Sequence, residues 1–493
     1  MKSFVTAALF ILSTQAARAG GPAWTTEYAA DVAWGDGVYL VTWIDVRNSD
    51  GPEIYAARVT PGGVVLDPDG IRIAPGSQVY PQAVGFGAGV FLVVWHEQTS
   101  PAGVRAARIS PAGIALDTVP IVVSSSTLTY WSHPQPTFDG AFCSGSGEAN
   151  FLVTWHDDRD GKFRTYAARV SPSGTVLDPE GFVVSRRECS WEWCAIVTGG
   201  GVSLLAWTDR GHPRWSIYAA RVTPDGTVLD TSAIPVGVDS AGVWSPAIAF
   251  DGVNFLVATS YFRGEDVFGV FVTPGGALVD TPFALIRRPR AQYRVDVAFD
   301  GENYFAVWED CGTNPYGVMG TRVTPGGVVL DPLGIAVDTG PGVHRTPKVA
   351  FDGTNYLVTW NDDRVRQNDY DVYAARVTPG GVVLDSGGFP VSARVGVKEG
   401  KWGRPAGIGK RQPTVVRGVL RMPRDTRLGT QRDLPERDLV VSRAVLLDVS
   451  GREVMALRPG DNNVRHLAPG VYFVHSTFDT QHSALATKVV VTR

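Results

Sequence analysis

One phrase recurs seven times along the chain: an aromatic-aliphatic run ending in Trp, a polar loop, Ala-Arg-Val-Thr-Pro-Gly-Gly, then Leu-Asp. Its clearest copy is Tyr356-Leu-Val-Thr-Trp360, Tyr373-Ala-Ala-Arg376, Thr378-Pro-Gly-Gly381 and Leu384-Asp385. The Trp returns at Trp43, Trp95, Trp155, Trp207, Trp308 and Trp360, and Thr259 takes its place in the fifth copy. A period of about 52 residues marks a repeat architecture, in which each unit buries its apolar faces only by stacking on its neighbours.

Each copy carries four strand signals. In the last, Pro347 to Phe351 is the first, Asp352-Gly353 turns the chain, Asn355 to Trp360 is the second, Asp371 to Thr378 the third, and Val382 to Val391 holds the fourth. The second strand is apolar on both sides, as a strand buried on both faces must be. The turn between the third and fourth strands has Pro at 61, 111, 172, 224, 274, 325 and 379, and always Gly two residues later. That spacing predicts a type I turn followed by a left-handed Gly bulge. An Asp follows each Pro by six residues, from Asp67 to Asp385, and reads as a turn or capping residue. Seven four-stranded sheets of this length predict a seven-bladed β-propeller over residues 24–393, with the Trp packed between blades and no strand swapped at closure, unless Gly20 to Thr26 adds one.

The composition agrees. Charged residues are 19% and hydrophobic ones 44%, a balance that folds; 56 glycines and 33 prolines argue against long helices. A net charge of −4 gives no general affinity for nucleic acid. At the N-terminus, Lys2, the apolar run Phe4 to Leu12 and Ala17-Arg18-Ala19 read as a signal peptide over 1–19. That run is too short to span a bilayer, and no later segment is long enough. Export makes disulfides available. Cys189 and Cys194 are the only cysteines close in sequence, so a bridge between them and four separate thiols are both open readings.

Repeats stop near Arg394. Residues 394–412 form a basic, Gly/Pro-rich linker, and 413–493 are again strand-rich. There, Leu446-Leu-Asp-Val-Ser-Gly-Arg-Glu-Val454, Leu467-Ala-Pro-Gly-Val-Tyr-Phe-Val474 and Thr487-Lys-Val-Val-Val491 resemble a type IX secretion C-terminal sorting domain, close in pattern to FlgD-type immunoglobulin-like domains. The resemblance implies a small immunoglobulin-like β-sandwich and a partner in the bacterial outer-membrane secretion machinery. It places the protein outside the cell or on the outer-membrane surface. The repeats themselves resemble uncharacterised secreted bacterial repeat proteins, which implies fold and location but no activity.

Chemistry is sparse. No Gly-x-Ser-x-Gly elbow, His-Glu-x-x-His or sialidase-type Asp box is present. Six copies have Trp-x-Asp or Trp-x-Glu, which predicts a structural carboxylate rather than six acid-base sites. No cofactor is expected. Calcium at Asp157, Asp158 or Asp362, Asp363, Asp369 has no Asp-x-Asp-x-Asp-Gly loop behind it. An aromatic residue precedes most first strands: Tyr28, Tyr80, Trp131, Trp193, Trp244 and Tyr293, with His344 in the seventh copy. On innermost strands these seven would ring one mouth of the channel, suited to glycan or protein; alternatively they wedge against the next blade. The sequence therefore favours a non-catalytic binding or adhesion protein, with a polysaccharide hydrolase or lyase and a structural envelope protein as alternatives.

Overall fold

The structure is a computed structural model. It describes residues 27–392 except for 46–51, 75–78, 98–101, 126–133, 139–148, 190–193, 210–215, 239–242, 262–265, 288–289, 314–315 and 367–368. Beyond these it describes 414–416, 419–422, 441–447, 453–458, 460–463, 470–478 and 484–491. The expected signal peptide (1–19) and linker (394–412) lie outside the described residues.

Seven four-stranded antiparallel sheets follow one another, each made of four consecutive strands: a seven-bladed β-propeller. Blades 1 to 7 span residues 27–74, 79–122, 135–183, 194–238, 243–287, 292–338 and 344–390. Their first strands are Glu27–Gly35, Val79–Gly87, Gln135–Phe138, Cys194–Gly199, Val243–Phe250, Gln292–Phe299 and His344–Phe351. Each packs against the first strand of the next blade, and that of blade 7 against that of blade 1, so the ring closes without a swap among the described strands. Across the closure Tyr39 Oη donates to the Asn355 carbonyl at 2.9 Å, and Arg376 Nη1 to the Pro61 carbonyl at 3.3 Å.

The six repeated tryptophans have no exposed surface. Each joins a cluster with the preceding blade: Trp95 with Leu40 and Ile54, Trp308 with Leu256 and Phe271, Trp43 with Leu357 and Val372 of blade 7. The seam between blades 4 and 5, where Thr259 replaces the indole, fills instead with Leu204, Phe255, Val257 and Val270.

The Gly bulge is as expected. Gly63 lies at φ 79° and donates to the Thr60 carbonyl at 2.8 Å, and the other six copies repeat this geometry. The Asp six residues after each Pro does more than cap a turn. In blade 4, Asp230 takes two bonds from the Arg221 guanidinium, at 2.7 and 2.8 Å, and one from the Arg221 amide at 3.0 Å. Arg221 Nη1 then reaches the Pro274 carbonyl of blade 5 at 3.0 Å. Six blades carry this Arg–Asp pair. The bulge Gly is needed beside it, since a Cβ on Gly276 would sit 2.8 Å from Arg221. In blade 5 Phe271 replaces the Arg and stacks on Phe283 at 5.4 Å.

Among the C-terminal strands, Thr414–Val416 pairs parallel to Ala484–Val491, and Gly470–Phe478 lies between Ala484–Val491 and Val441–Leu447. Glu453–Leu457 completes that five-stranded sheet, and Val419–Met422 pairs separately with Gly460–Asn463. Among the described residues no helix is long and apolar enough to cross a membrane.

Candidate functional site

Register fixes which side chains meet in the channel. The residue preceding each Trp, or Thr259, on the second strand pairs in turn with Asp31, Ala83, Gln135, Ala195, Ala247, Asp296 and Lys348 on the first. Four of these seven equivalent positions are polar, and the charged three fall on consecutive blades 6, 7 and 1. Lys348 Nζ lies 3.9 Å from Asp296 Oδ1, and each keeps about a fifth of its side-chain surface open. The carboxylates also tie blades together: Asp31 accepts from the Val84 amide and Asp296 from the Val349 amide, both at 2.9 Å. Burial pushes the Asp31 carboxyl up to about 6 against the pull of Lys348. Asp296 is raised by the same cause. Burial alone would depress the Lys348 ammonium, but Asp296 and Asp31 together hold it above its ordinary value. The cavity these residues line has a volume of about 180 Å³.

Above this ring the first strands bulge. In blades 5, 6 and 7 two residues oppose one on the second strand. The first of each two is a left-handed non-glycine: Ser245 (φ 44°), Arg294 (φ 53°) and Thr346 (φ 52°). Such conformations cost about 1–3 kcal/mol each and gather at functional sites, where bulges re-aim side chains. All three line the cavity. Arg294 Nη1 donates to Glu309 Oε2 at 2.7 Å, the Thr346 amide donates to the same oxygen at 3.4 Å, and Asn361 Nδ2 donates to Thr346 Oγ1 at 3.1 Å. Ser245 Oγ and Asn361 Oδ1 are buried with no hydrogen-bond partner among the described residues.

The seven expected mouth residues fare unequally. Trp131 and Trp193 lie outside the described residues, as do the side chains of Tyr28, Tyr80 and Trp244. The strand positions of those last three are described, and they pair with Ile44, His96 and Ser260. Tyr293 is half-buried and pairs with Glu309. His344 is corrected: it is fully buried and turned into the blade, its Nδ1 3.4 Å from the Asp338 carbonyl. Counted back from the Phe that ends each first strand, His344 is one residue too early, and one step on a strand reverses the face. Arg345, paired with Asn361, takes the mouth position in blade 7. Two further tyrosines reach the same charges. Tyr316 lies within electrostatic range of Tyr293, and Tyr370 within range of Arg345, Glu309 and Arg294. Tyr316 directly precedes the third strand of blade 6, and Tyr370 lies on the third strand of blade 7, whose hairpin is drawn out into a ribbon with Arg366 opposite Asp369.

No disulfide joins Cys189 and Cys194: both are buried thiols. Cys189 Sγ sits 3.1 Å from His156 Nδ1 of blade 3, while Cys194 stands on the first strand of blade 4 opposite Trp207. Four of the six Trp-x-acid carboxylates are bonded by their own Trp, while the Trp207 and Trp308 indole nitrogens have no hydrogen-bond partner among the described residues. Indole nitrogens donate to Asp45, Glu97, Asp157 and Asp362 at 2.8–3.5 Å. Arg159 adds a second partner to Asp157, and the Val343 amide holds Asp363 at 2.6 Å. Asp338, His344 and Asp362 bring ligand atoms within 4.8 Å of one another. Arg364 bonds both carboxylates, so a metal ion there would have to displace a guanidinium.

No protein-family model matches the chain, and no curated protein matches it. Among solved structures it is similar to the β-propeller domain of the Trilobed protease from Pyrococcus furiosus, which has an open velcro topology (9% identity, TM-score 0.43, 75% of this chain and 98% of that one). It is also similar to a putative 6-phosphogluconolactonase from Bacteroides uniformis (14%, 0.44, 69% and 92%) and to an oligogalacturonate lyase in complex with manganese (11%, 0.43, 72% and 98%). At these identities and scores the likeness says nothing of what this chain binds.

Proposed function

We propose that the propeller is the ligand-binding module of a protein exported to the exterior of a bacterial cell, and that it binds glycan or protein at the channel mouth without catalysis. The observation that carries this reading is the mouth on blades 5 to 7. Three left-handed residues, Ser245, Arg294 and Thr346, hold polar side chains along the cavity on consecutive blades. The loop carboxylates that would serve hydrolysis are instead engaged by Trp and Arg. Export rests on the signal-like residues 1–19 and on the sorting-domain motifs within 413–493, for which the immunoglobulin-like sandwich remains the proposed fold. An array of bacterial and plant glycans and of extracellular proteins, probed with the full chain, tests binding. Retention that disappears with Arg294→Ala at unchanged melting temperature supports the reading, and absence of any retained ligand counts against it. Deleting 413–493 should strand a folded propeller in the cell envelope, and efficient export of that truncation would remove the sorting proposal.

A hydrolase or lyase has one observation in its favour: Asp31 and Asp296 face the same cavity, and Asp31 is raised into the range of a general acid. Lys348 is drawn to both of them. Release of reducing ends from a polysaccharide panel, abolished by Asp31→Asn, would favour this reading over the first.

A further inference from the structure

We infer that the loop from blade 5 into blade 6, with the adjoining edge of blade 7, binds an acidic polysaccharide, a chain bearing repeated carboxylate or sulfate groups; this rests on the binding reading above. The loop reads Arg287-Arg-Pro-Arg-Ala-Gln-Tyr-Arg294, four arginines in eight residues of a chain whose net charge is −4. Arg288 lies outside the described residues. Arg287 ends the outermost strand of blade 5, Phe283–Arg287, and Arg294 stands on the innermost strand of blade 6, Gln292–Phe299. The loop therefore crosses the mouth face from rim to channel. Arg345 of blade 7 continues the line, since the amide of the next residue, Thr346, and Arg294 Nη1 meet on one oxygen of Glu309.

These guanidinium groups differ from the others in what they hold. The staple arginines, Arg159, Arg187 and Arg364 each carry a carboxylate. Arg287 and Arg290 are exposed, Arg345 is half-buried, and none of the three has a carboxylate partner among the described residues. Arg287 and Arg345 rest on rings instead, their Cζ atoms 5.9 Å from the centres of Phe268 and Tyr316. A guanidinium over a ring keeps its edge N–H groups for a planar anion, which it grips with two parallel bonds. The nearby carboxylates are turned inward or engaged. The Glu309 side chain is 3% exposed and neutralises Arg294, the Val343 amide holds buried Asp363, and Asp266, opposite Arg287 in the ladder, has other partners. What this arc shows to a ligand is positive. Arg290 and Arg294 are also held in left-handed conformations, at φ 73° and 53°, which a bulky residue keeps only where its surroundings impose them.

Spacing and chemistry select the ligand. The width of a four-stranded blade separates Arg287 from Arg294, three gaps of about 4.8 Å, or about 14 Å. One small anion cannot bridge that distance, and a chain with an anion on successive units can. A protein partner would want an apolar centre to its interface. The exposed leucines all lie on or just beyond the hairpins between third and fourth strands, at the opposite end of the blades. Nucleic acid would want free ring faces for its bases, and the two rings here already carry guanidinium groups.

The test is biolayer interferometry of the full chain on immobilised polygalacturonate, dextran sulfate and plain dextran, with polyglutamate and single-stranded DNA as the other polyanions. At low salt, one or both acidic polysaccharides should bind about tenfold or more tightly than dextran, polyglutamate or DNA, and molar salt should release them. Which of the two binds assigns the anion as carboxylate, sulfate or either. Arg287→Gln combined with Arg290→Gln should weaken binding about tenfold or more, and Arg345→Gln about threefold or more, at unchanged melting temperature. Arg186→Gln removes an exposed arginine from the loop between blades 3 and 4 and should change nothing. Equal loss in Arg186→Gln, no loss in the loop variants, or equally tight binding of dextran or polyglutamate overturns the inference while the broader binding reading stands. Preference for DNA, or retention of no polymer and no protein, brings down both.

Discussion

Replacing Arg221 by Met removes the blade 4 member of the Arg–Asp series while leaving an apolar stem in place. The guanidinium makes two bonds to Asp230, at 2.7 and 2.8 Å, and one across the seam to the Pro274 carbonyl at 3.0 Å. Both partners have only 16% of their side-chain surface exposed. An exposed ion pair is worth about 0–1 kcal/mol. Bonds to charged groups in a partly buried fork are worth about 1.5 kcal/mol each at the lower end, so losing the two to Asp230 alone should cost about 3 kcal/mol. Asp230→Asn keeps an acceptor for the Arg221 amide and should cost about half as much. The sign with pH is also fixed. Burial would raise the Asp230 carboxyl, but bonds from Arg221 outweigh it and hold the carboxyl below its ordinary value. A depressed carboxylate stabilises the fold above its unfolded pKa and loses that contribution as pH falls through the folded value. The gap between the wild-type protein and Arg221→Met, read from urea unfolding, should therefore be full at pH 7 and close below about pH 4. A gap under about 1 kcal/mol at pH 7, or one that widens in acid, would refute the staple.

The channel charges carry the opposite pH sign. Because Asp31 is raised to about 6, its contribution to stability is fully present below the unfolded value near 4 and declines as pH rises through 6. The decline is at most about 3 kcal/mol at 1.36 kcal/mol for each pH unit. Asp31→Asn, whose amide oxygen still accepts from the Val84 amide, should flatten the stability profile between pH 4 and 6, and an unchanged slope there would show that Asp31 titrates normally. Burial pushes the Cys194 thiol up to about 12 and raises Cys189 as well, so neither should react with iodoacetamide at pH 8 until the protein unfolds. Rapid labelling of either thiol in the folded protein would place it at the surface.

The scaffold was legible because it is written seven times. Trp at one strand position and Gly two residues after Pro fixed the second strand, the hairpin and the blade count, since each turns on local rules. The site was harder for three physical reasons. Asp31, Asp296 and Lys348 meet only because the ring closes, bringing together residues about 300 apart. Nothing in their local sequence distinguishes them from Ala83 or Ala195 until register is counted. His344 matches the series by chemistry but not by count, and a single residue of slip puts Arg345 in its place. Tyr316 and Tyr370 stand at the start of third strands, ahead of the repeated phrase and outside its periodicity. The Asp of each repeat was visible, but its partner is an Arg nine residues earlier on the neighbouring strand, a distance that only hairpin pairing makes short.

Closure of the ring is most directly tested at Trp43, whose indole is buried only because blade 7 supplies Leu357 and Val372 against it. With 5-fluorotryptophan incorporated and the Trp43 resonance assigned by Trp43→Phe, ¹⁹F spectra in H₂O and D₂O report solvent access at that one ring. A closed seven-bladed ring predicts no solvent isotope shift at Trp43, as at Trp95 inside an ordinary seam. A full shift at Trp43 alone would mean that blades 1 and 7 do not meet, and the channel and its mouth would go with them.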